Sequence, residues 1–331
     1  MNKLKKKIFS TTSFSRFQLP SKQGDEIQIS GLKGSLLSFF LAYLSETQNK
    51  ILLYITTDRD SGERLRDDLE LILDNDEVRF FPSYENIPYD EREPNPSLVR
   101  LRLESLQFLM EKDSGIIIAD IPGLLLKVPN SESFVDHQCF LQINKDINFD
   151  KLLVDLTGAG YKRTEIVENV GQFAVRGGII DIYPWTADDP VRLEFFGNKI
   201  ESLRSFNVIT QRSIEEINEI ELLPNQDSIE KLNTLFDYLP ENSIIIFEDK
   251  NLVIDRVNKY YIEVQSSYQN HIENNIFPQS PEERYVNLEI LNDYVKLHSI
   301  IRFDLIEDEN TGRSSHYLSI LEDYLRLFSF K

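Results

Sequence analysis

Apolar residues in the first third of the chain form short continuous runs that alternate with amphipathic stretches. Residues 51–55 and 116–119 are apolar throughout, which is typical of strands buried on both faces of a sheet. Residues 36–44 predict a buried helix, and residues 58–73 predict an amphipathic one. Because strands that alternate with helices pair in parallel through helical crossovers, residues 25–128 are predicted to form one α/β domain.

The pattern changes to closely spaced strand-like stretches after residue 128. Residues 150–156 predict a short helix that ends near two glycines. The strand-like stretches are residues 135–143, 173–176, 179–183, 191–196 and 199–206. Tight turns between most of them indicate antiparallel pairing. Residues 129–222 are therefore predicted to form a separate α+β domain with an antiparallel sheet.

An α/β pattern returns over residues 223–331. Residues 229–239 predict a helix and residues 244–247 predict an apolar strand, whereas residues 261–284 are polar and predict no element. The simplest interpretation is that the domain at residues 129–222 is inserted into one larger α/β domain, which the chain then re-enters.

Composition and charge narrow the classes of function. Of the 331 residues 41% are hydrophobic, which is enough to build packed cores. The formal net charge of −19 repels phosphate backbones and argues against tight autonomous binding of DNA. The single cysteine, Cys139, excludes an intramolecular disulfide and favours a reducing, cytoplasmic compartment.

The two ends of the chain predict no export and no membrane anchor. Residues 1–24 are predicted to be a basic N-terminal tail, because no apolar run of signal-peptide length follows the lysines. The most apolar helix-like run is about half of the roughly 20 residues that a membrane span needs. The chain stops in the middle of an apolar pattern at residues 325–328, without a helix cap, which predicts a fragment of a longer protein.

The turn at residues 29–36 lies where nucleotide-hydrolysing α/β proteins bind phosphate. Such a loop needs several glycines, a lysine after the last glycine, and a serine or threonine for magnesium. Gly31 and Gly34 are too few and too close together, Ser35 follows Gly34, and Lys33 precedes it. We expect a degenerate, non-functional phosphate loop at Gly31, Gly34 and Ser35, and a working nucleotide site is the less favoured alternative.

Metal binding and acid–base chemistry have little support in the sequence. The histidines His137, His271, His298 and His316 are scattered without the spacing of a metal site. No neighbour of Cys139 in the sequence would lower its pKa, so a packed thiol is favoured over a nucleophile. We therefore expect no metal, no cofactor and no catalytic residue.

One predicted sheet face carries a composition of interest. Strand alternation puts Arg192, Glu194 and Phe196 on the face opposite the core. Arg176 lies on the face of its own strand that points away from the core, and Arg163 comes shortly before that strand. Arginines, a glutamate and an aromatic residue together are typical of a protein interface, but from these residues alone a solvated face with local ion pairs is the favoured interpretation.

Two stretches on these strands resemble a known family. Residues 173–184, FAVRGGIIDIYP, and residues 192–206, RLEFFGNKIESLRSF, are similar to the second domain of UvrB and of bacterial transcription-repair coupling factors. The resemblance extends over roughly residues 25–250 and is closer to the coupling factors. It implies a degenerate P-loop helicase-like parallel sheet domain with an inserted UvrB-type α+β domain. The long aromatic β-hairpin of UvrB is not found between residues 82 and 98.

The resemblance also implies a partner, because the second domain in that family binds UvrA, the damage-recognition ATPase of nucleotide excision repair. The UvrA-contacting positions carry over onto Arg163, Arg176 and Glu194, while a further arginine of UvrB falls on Ala174. We add Phe196 from the strand alternation alone.

The expected function is a non-catalytic module that recruits UvrA to stalled RNA polymerase. RNA polymerase and DNA would bind through downstream domains of the parent protein. The first alternative is a UvrB-like, ATP-dependent protein that binds damaged DNA. The second is an unrelated enzymatic site in the α/β domain, which no group of residues supports.

Overall fold

The computed structural model describes residues 2–11, 14, 17–19, 23–30, 32, 34–73, 75–84, 87–90, 92–303 and 315–317. The chain divides into two compact units. The larger unit comprises residues 1–93, 105–127 and 234–331, and the smaller unit comprises residues 94–104 and 128–233. The predicted fragment end at residues 325–328 lies outside the described residues.

The described secondary structure alternates helices and strands at both ends of the chain and is dominated by strands in the middle. The strands are β1 Glu26–Ser30, β2 Ile51–Thr56, β3 Val78–Phe81, β4 Gly115–Asp120, β5 Val128–Pro129, β6 Cys139–Gln142, β7 Lys162–Arg163, β8 Gln172–Arg176, β9 Ile179–Ile182, β10 Val191–Phe196, β11 Lys199–Phe206, β12 Ser213–Glu216, β13 Glu219–Leu222, β14 Leu232–Asn233, β15 Ile244–Phe247, β16 Ser299–Phe303 and β17 Ser315–Tyr317. The α-helices are α1 Asn2–Phe9, α2 Leu36–Gln48, α3 Arg59–Ile72, α4 Pro96–Glu111, α5 Ile121–Leu125, α6 Ser131–Asp136, α7 Phe149–Gly158, α8 Lys250–Glu273, α9 Pro281–Arg284 and α10 Leu288–Val295.

The larger unit is built on a sheet of seven described strands in the order β17-β1-β16-β15-β2-β4-β3. All of the neighbouring strands are parallel, so the predicted parallel sheet is confirmed. Strands β2 and β4 are buried at every position, as their continuous apolar sequences predicted. Strand β15 follows the smaller unit in the chain but lies between β16 and β2 in this sheet.

Polar side chains at the carboxyl edge of this sheet are bonded within the fold. Asp58 and Asp120 follow β2 and end β4, and each accepts a backbone N–H from the first turn of the next helix. Glu248 follows β15 and accepts the Thr57 backbone N–H at 2.6 Å and the Thr57 hydroxyl at 2.7 Å. The two aspartates thus cap the helices that follow, and Glu248 joins the ends of β15 and β2.

The predicted helix at residues 229–239 is wrong. Strand β14 and a single 3-10 turn, Leu235–Tyr238, occupy this stretch. Asp237 accepts hydrogen bonds from the backbone N–H and the hydroxyl of Thr234, which closes that one turn. Pro240 follows and cannot continue a helix.

Three other stretches differ from the sequence prediction. Helix α8 runs through residues 250–273, where no element was predicted beyond residue 261, because its buried stripe consists only of Val253, Val257 and Val264. Residues 135–136 belong to α6 and not to a strand. Helix α1 forms within the predicted tail, with Ile8 buried.

The smaller unit is built on a sheet of six described strands in the order β12-β11-β10-β9-β8-β7. Strands β8 to β12 pair antiparallel, so the separate antiparallel sheet is confirmed, and β7 adds one short parallel edge. Its core includes Phe173, Ile180 and Leu193 packed with Leu152 and Leu156 of α7.

The smaller unit extends beyond the domain predicted at residues 129–222. It includes residues 94–104, where the buried Arg102 donates from Nε to Gln226 at 3.0 Å. An arginine within an apolar helix gives no sign in the sequence of so distant a partner.

Among the described residues, no helix is both long enough and apolar enough to cross a membrane.

Candidate protein-docking site

The face of the six-stranded sheet opposite α7 carries two rows of residues that run across strands β8 to β11. We call these eight residues the outer face. The first row is Arg176, Ile179, Glu194 and Ser202, and the second row is Ala174, Asp181, Arg192 and Arg204. Neighbours within each row are cross-strand partners, and such partners project to the same side of a sheet.

Asp181 bonds two arginines of the outer face. Its side chain is only 1% exposed. Arg192 donates from Nε to Oδ1 at 2.6 Å and from Nη2 to Oδ2 at 2.9 Å. Arg176 donates from Nη2 to the same Oδ2 at 2.6 Å. A buried carboxylate therefore fixes two guanidinium groups through charge-assisted hydrogen bonds.

The two arginines differ in how firmly they are held. Arg192 also donates from Nη2 to Gln211 Oε1 at 3.0 Å, and its guanidinium lies 4.4 Å from the centre of the Phe206 ring. Its side chain is 16% exposed, whereas that of Arg176 is 52% exposed. Arg176 thus presents more of its guanidinium to solvent than Arg192 does.

Glu194 is paired within the sheet. Its Oε1 accepts from Arg204 Nη2, and its Oε2 accepts from the Ser202 hydroxyl at 2.9 Å. The hydrogen bond from Arg204, and then that from Ser202, hold the pKa of the Glu194 carboxyl below its ordinary value of 4.5. The carboxylate is therefore ionised at neutral pH and carries its own counterion.

Phe196 is the most exposed aromatic residue near the outer face, with 75% of its surface accessible. A β-bulge after Glu194 pairs Phe195 with Ile200 on the core side and leaves Phe196 beside Lys199. The turn between β8 and β9 meets the same end of the sheet, since the Phe195 N–H donates to the Gly178 carbonyl at 2.8 Å. Phe196 therefore lies at the same end of the sheet as Arg176 and Glu194.

Arg163 stands apart from the other predicted site residues. It lies on the edge strand β7 and pairs with Phe173, whose side chain is buried in the core. This register gives Arg163 the core side of the sheet edge, whereas its neighbour Lys162 pairs with Gln172 on the other side. The structure thus brings together Arg176, Glu194 and Phe196 but not Arg163. The assignment of all four to a binding site stays a prediction.

Sequence reasoning missed several residues of the outer face. Asp181 interrupts the apolar run of β9, and its position two residues after Ile179 is the signal that could have placed it on the outer face. Arg204 on β11 pairs directly with Arg192. Ala174, onto which a UvrB arginine falls, is 1% exposed and therefore offers no surface for contact.

The predicted degenerate phosphate loop is described in part. Gly34 has a left-handed φ of 58°, and Ser35 precedes α2 without a side-chain capping bond. Gly31 and Lys33 lie outside the described residues.

In the described part of the chain, no group of three or more histidine, cysteine, aspartate or glutamate residues is arranged to hold a metal ion. Burial, the largest cause, raises the pKa of the Cys139 thiol to about 11.

The class of domain is given by comparison with known families. Residues 140–227, which include all strands of the outer face, match the family described as the UvrB interaction domain.

The chain is also similar to several transcription-repair-coupling factors. The chain is 34% identical to the transcription-repair-coupling factor of Bacillus subtilis (strain 168) over 61% of this chain and 17% of that protein. It is 31% identical to that of Staphylococcus aureus (strain MSSA476) over 69% of this chain and 19% of the relative. It is 25% identical to that of Haemophilus influenzae over 88% and 30%. The resemblance to the N-terminal UvrB-like module of transcription-repair coupling factors is thereby confirmed, and the chain spans less than a third of these relatives.

Proposed function

We propose that this chain is a non-catalytic module that docks UvrA for a transcription-repair coupling factor and so links stalled RNA polymerase to nucleotide excision repair. The observation that carries the proposal is the outer face, which lies within the segment that matches the UvrB interaction domain. Contact with RNA polymerase and DNA would come from further parts of a longer protein, which acts in the cytoplasm.

The make-up of the outer face supports docking of a protein. Arg176 and the neighbouring Phe196 are exposed, and arginine and aromatic residues are enriched among the residues that dominate binding energy at interfaces. The hydrogen bond from Arg176 to the buried Asp181 orders the arginine, so it loses less side-chain freedom on binding. The half-buried Ile179 lies between Arg176 and Glu194 and adds an apolar centre to the charged rows.

Absence of catalysis is supported by the loop that follows β1. Ser35 stands where a phosphate-binding lysine would follow Gly34, and the polar groups at the neighbouring strand ends are already bonded to one another. The seven-stranded parallel sheet supports a P-loop helicase-like ancestry in which the phosphate loop has degenerated.

The experiment that tests the proposal is charge reversal on the outer face. We expect Arg176→Glu to leave the fold intact and to weaken binding of purified UvrA at least 100-fold, because a like charge at an interface costs several kcal/mol. Binding would be measured by biolayer interferometry with the 331-residue chain.

A matched control is Lys151→Glu on α7, the helix that packs on the opposite side of the same sheet. This exposed residue undergoes the same change in charge but should leave the affinity unchanged. Retention of wild-type affinity by Arg176→Glu would overturn the assignment of the docking site.

A further inference from the structure

We propose that Asp181 is the positioning residue of the outer face and that its buried carboxylate holds Arg176 ready to dock. The inference rests on the proposed function, because docking of UvrA provides one of its two readouts. Asp181 lies outside the predicted contact set and itself reaches no partner, since only 1% of its side chain is exposed.

The geometry gives Asp181 a different role for each arginine. Arg192 is held by both carboxylate oxygens, by Gln211 and by the face of Phe206. Arg176 is anchored through Nη2 to Oδ2 of Asp181, and no other ion pair to its guanidinium is present among the described residues. Loss of the Asp181 charge would therefore leave Arg192 partly held and release Arg176.

The neighbouring carboxylate cannot take over this task. Glu194 already has one oxygen on Arg204 and the other on the Ser202 hydroxyl. Ile179, an apolar residue, lies between Arg176 and Glu194 in the first row. Asp181 thus supplies the charge that orients Arg176.

An arginine that is ordered before binding loses less rotamer freedom when the partner arrives. The cost of immobilising one long side chain corresponds to about a tenfold change in affinity. We therefore expect Asp181→Asn, which preserves the size of the side chain, to weaken binding of purified UvrA about tenfold.

A double-mutant cycle separates positioning from simple support of the fold. In an Arg176→Ala background, Asp181→Asn should change the affinity less than twofold, because the side chain that it positions is gone. Asp188→Asn is the matched control, since it removes a carboxylate that pairs with Arg100 in the same unit at 2.5 Å. We expect this control to bind UvrA like the wild type.

Two outcomes would overturn the inference: wild-type affinity of Asp181→Asn, or an equal loss of affinity with and without Arg176. The fluorescence of Trp185 shows whether Asp181→Asn folds. If it does not fold, a measurement on the wild-type chain still tests the inference. Nitrogen-15 relaxation should show a restricted Arg176 Nε–Hε group, and a freely mobile one would refute positioning. Failure of the wild type to bind UvrA would instead sink the proposed function, while the relaxation result would still decide the role of Asp181.

Discussion

The two sheets differ in how much of their charged side chains stays exposed. In the seven-stranded parallel sheet, carboxylates such as Asp58, Asp120 and Glu248 lie at the strand ends and accept hydrogen bonds from backbone and hydroxyl groups of the same unit. In the six-stranded sheet, charged side chains lie along the strands, and one guanidinium, that of Arg176, stays half exposed. The polar groups at the edge of the first sheet are therefore hydrogen-bonded within the unit, whereas the second sheet presents a charged side chain to solvent.

The largest expected effect is a loss of stability of the smaller unit, caused by a substitution at Gly171. Gly171 has a φ of 76°, and a Cβ there would lie 2.2 Å from the Trp185 ring. Gly171→Ala should therefore destabilise the smaller unit by roughly 3 kcal/mol, from left-handed strain and from overpacking against the ring. Urea unfolding followed by the fluorescence of Trp185, the single tryptophan, measures this loss.

The matched control for that substitution is Gly197→Ala. Gly197 has a similar φ of 62° but open space where a Cβ would lie. The substitution should lower the free energy of unfolding only by the backbone strain, about 1 kcal/mol. Equal losses for the two variants would show that the ring contact contributes nothing.

A smaller effect concerns the pH dependence of stability, through one titratable residue in each unit. Burial lowers the pKa of His298 in the larger unit below 6.5. The unfolded chain therefore takes up a proton as the pH falls below 6.5 before the folded chain does, and stability declines in that window. The lowered pKa of Glu194 gives the smaller unit a contribution that is present above pH 4.5 and is lost as the pH falls through the lowered value.

Unfolding at a series of pH values tests this order. The difference between the wild type and His298→Gln should change between pH 6.5 and the lowered pKa of His298. The difference between the wild type and Glu194→Gln should change only below pH 4.5. Pairs of curves that stay parallel throughout would contradict the assignment.

The smallest expected effect is none at all. Magnesium and ATP at millimolar concentration should leave the melting temperature of the wild-type chain unchanged, because the loop after β1 lacks the lysine of a phosphate site. A ligand at 100 times its Kd would add about 2.7 kcal/mol to the free energy of unfolding. A clear upward shift would therefore favour the ATP-dependent alternative and would remove the contrast between a closed edge and an open face.

Much of the fold was predictable because its strands carry strong patterns. Continuous apolar runs predicted β2, β4 and β15, and turns rich in glycine or proline predicted β8 to β11. Helix α8 was missed because three buried valines in 24 residues leave too narrow an apolar stripe. The helix predicted near residue 235 failed because the Thr234–Asp237 pair closes a single turn, which hydrophobic periodicity does not reveal.

The candidate site was predictable only in part for a different reason. Alternation along single strands placed Arg176, Glu194 and Phe196 on one side, but it gives no information on the register between strands. That register, which bonds Asp181 to two arginines and sends Arg163 to the other side of β7, depends on pairings that only the folded sheet supplies.

The position of β15 has a consequence for how this chain is made. Its Ile244 pairs with Leu52, so the middle of the large sheet cannot form until the ribosome has synthesised the entire inserted segment. Contacts between such distant parts of a chain form slowly. We expect the inserted unit to mature first on the nascent polypeptide, while β2 waits for its neighbour and depends on chaperones for protection from aggregation.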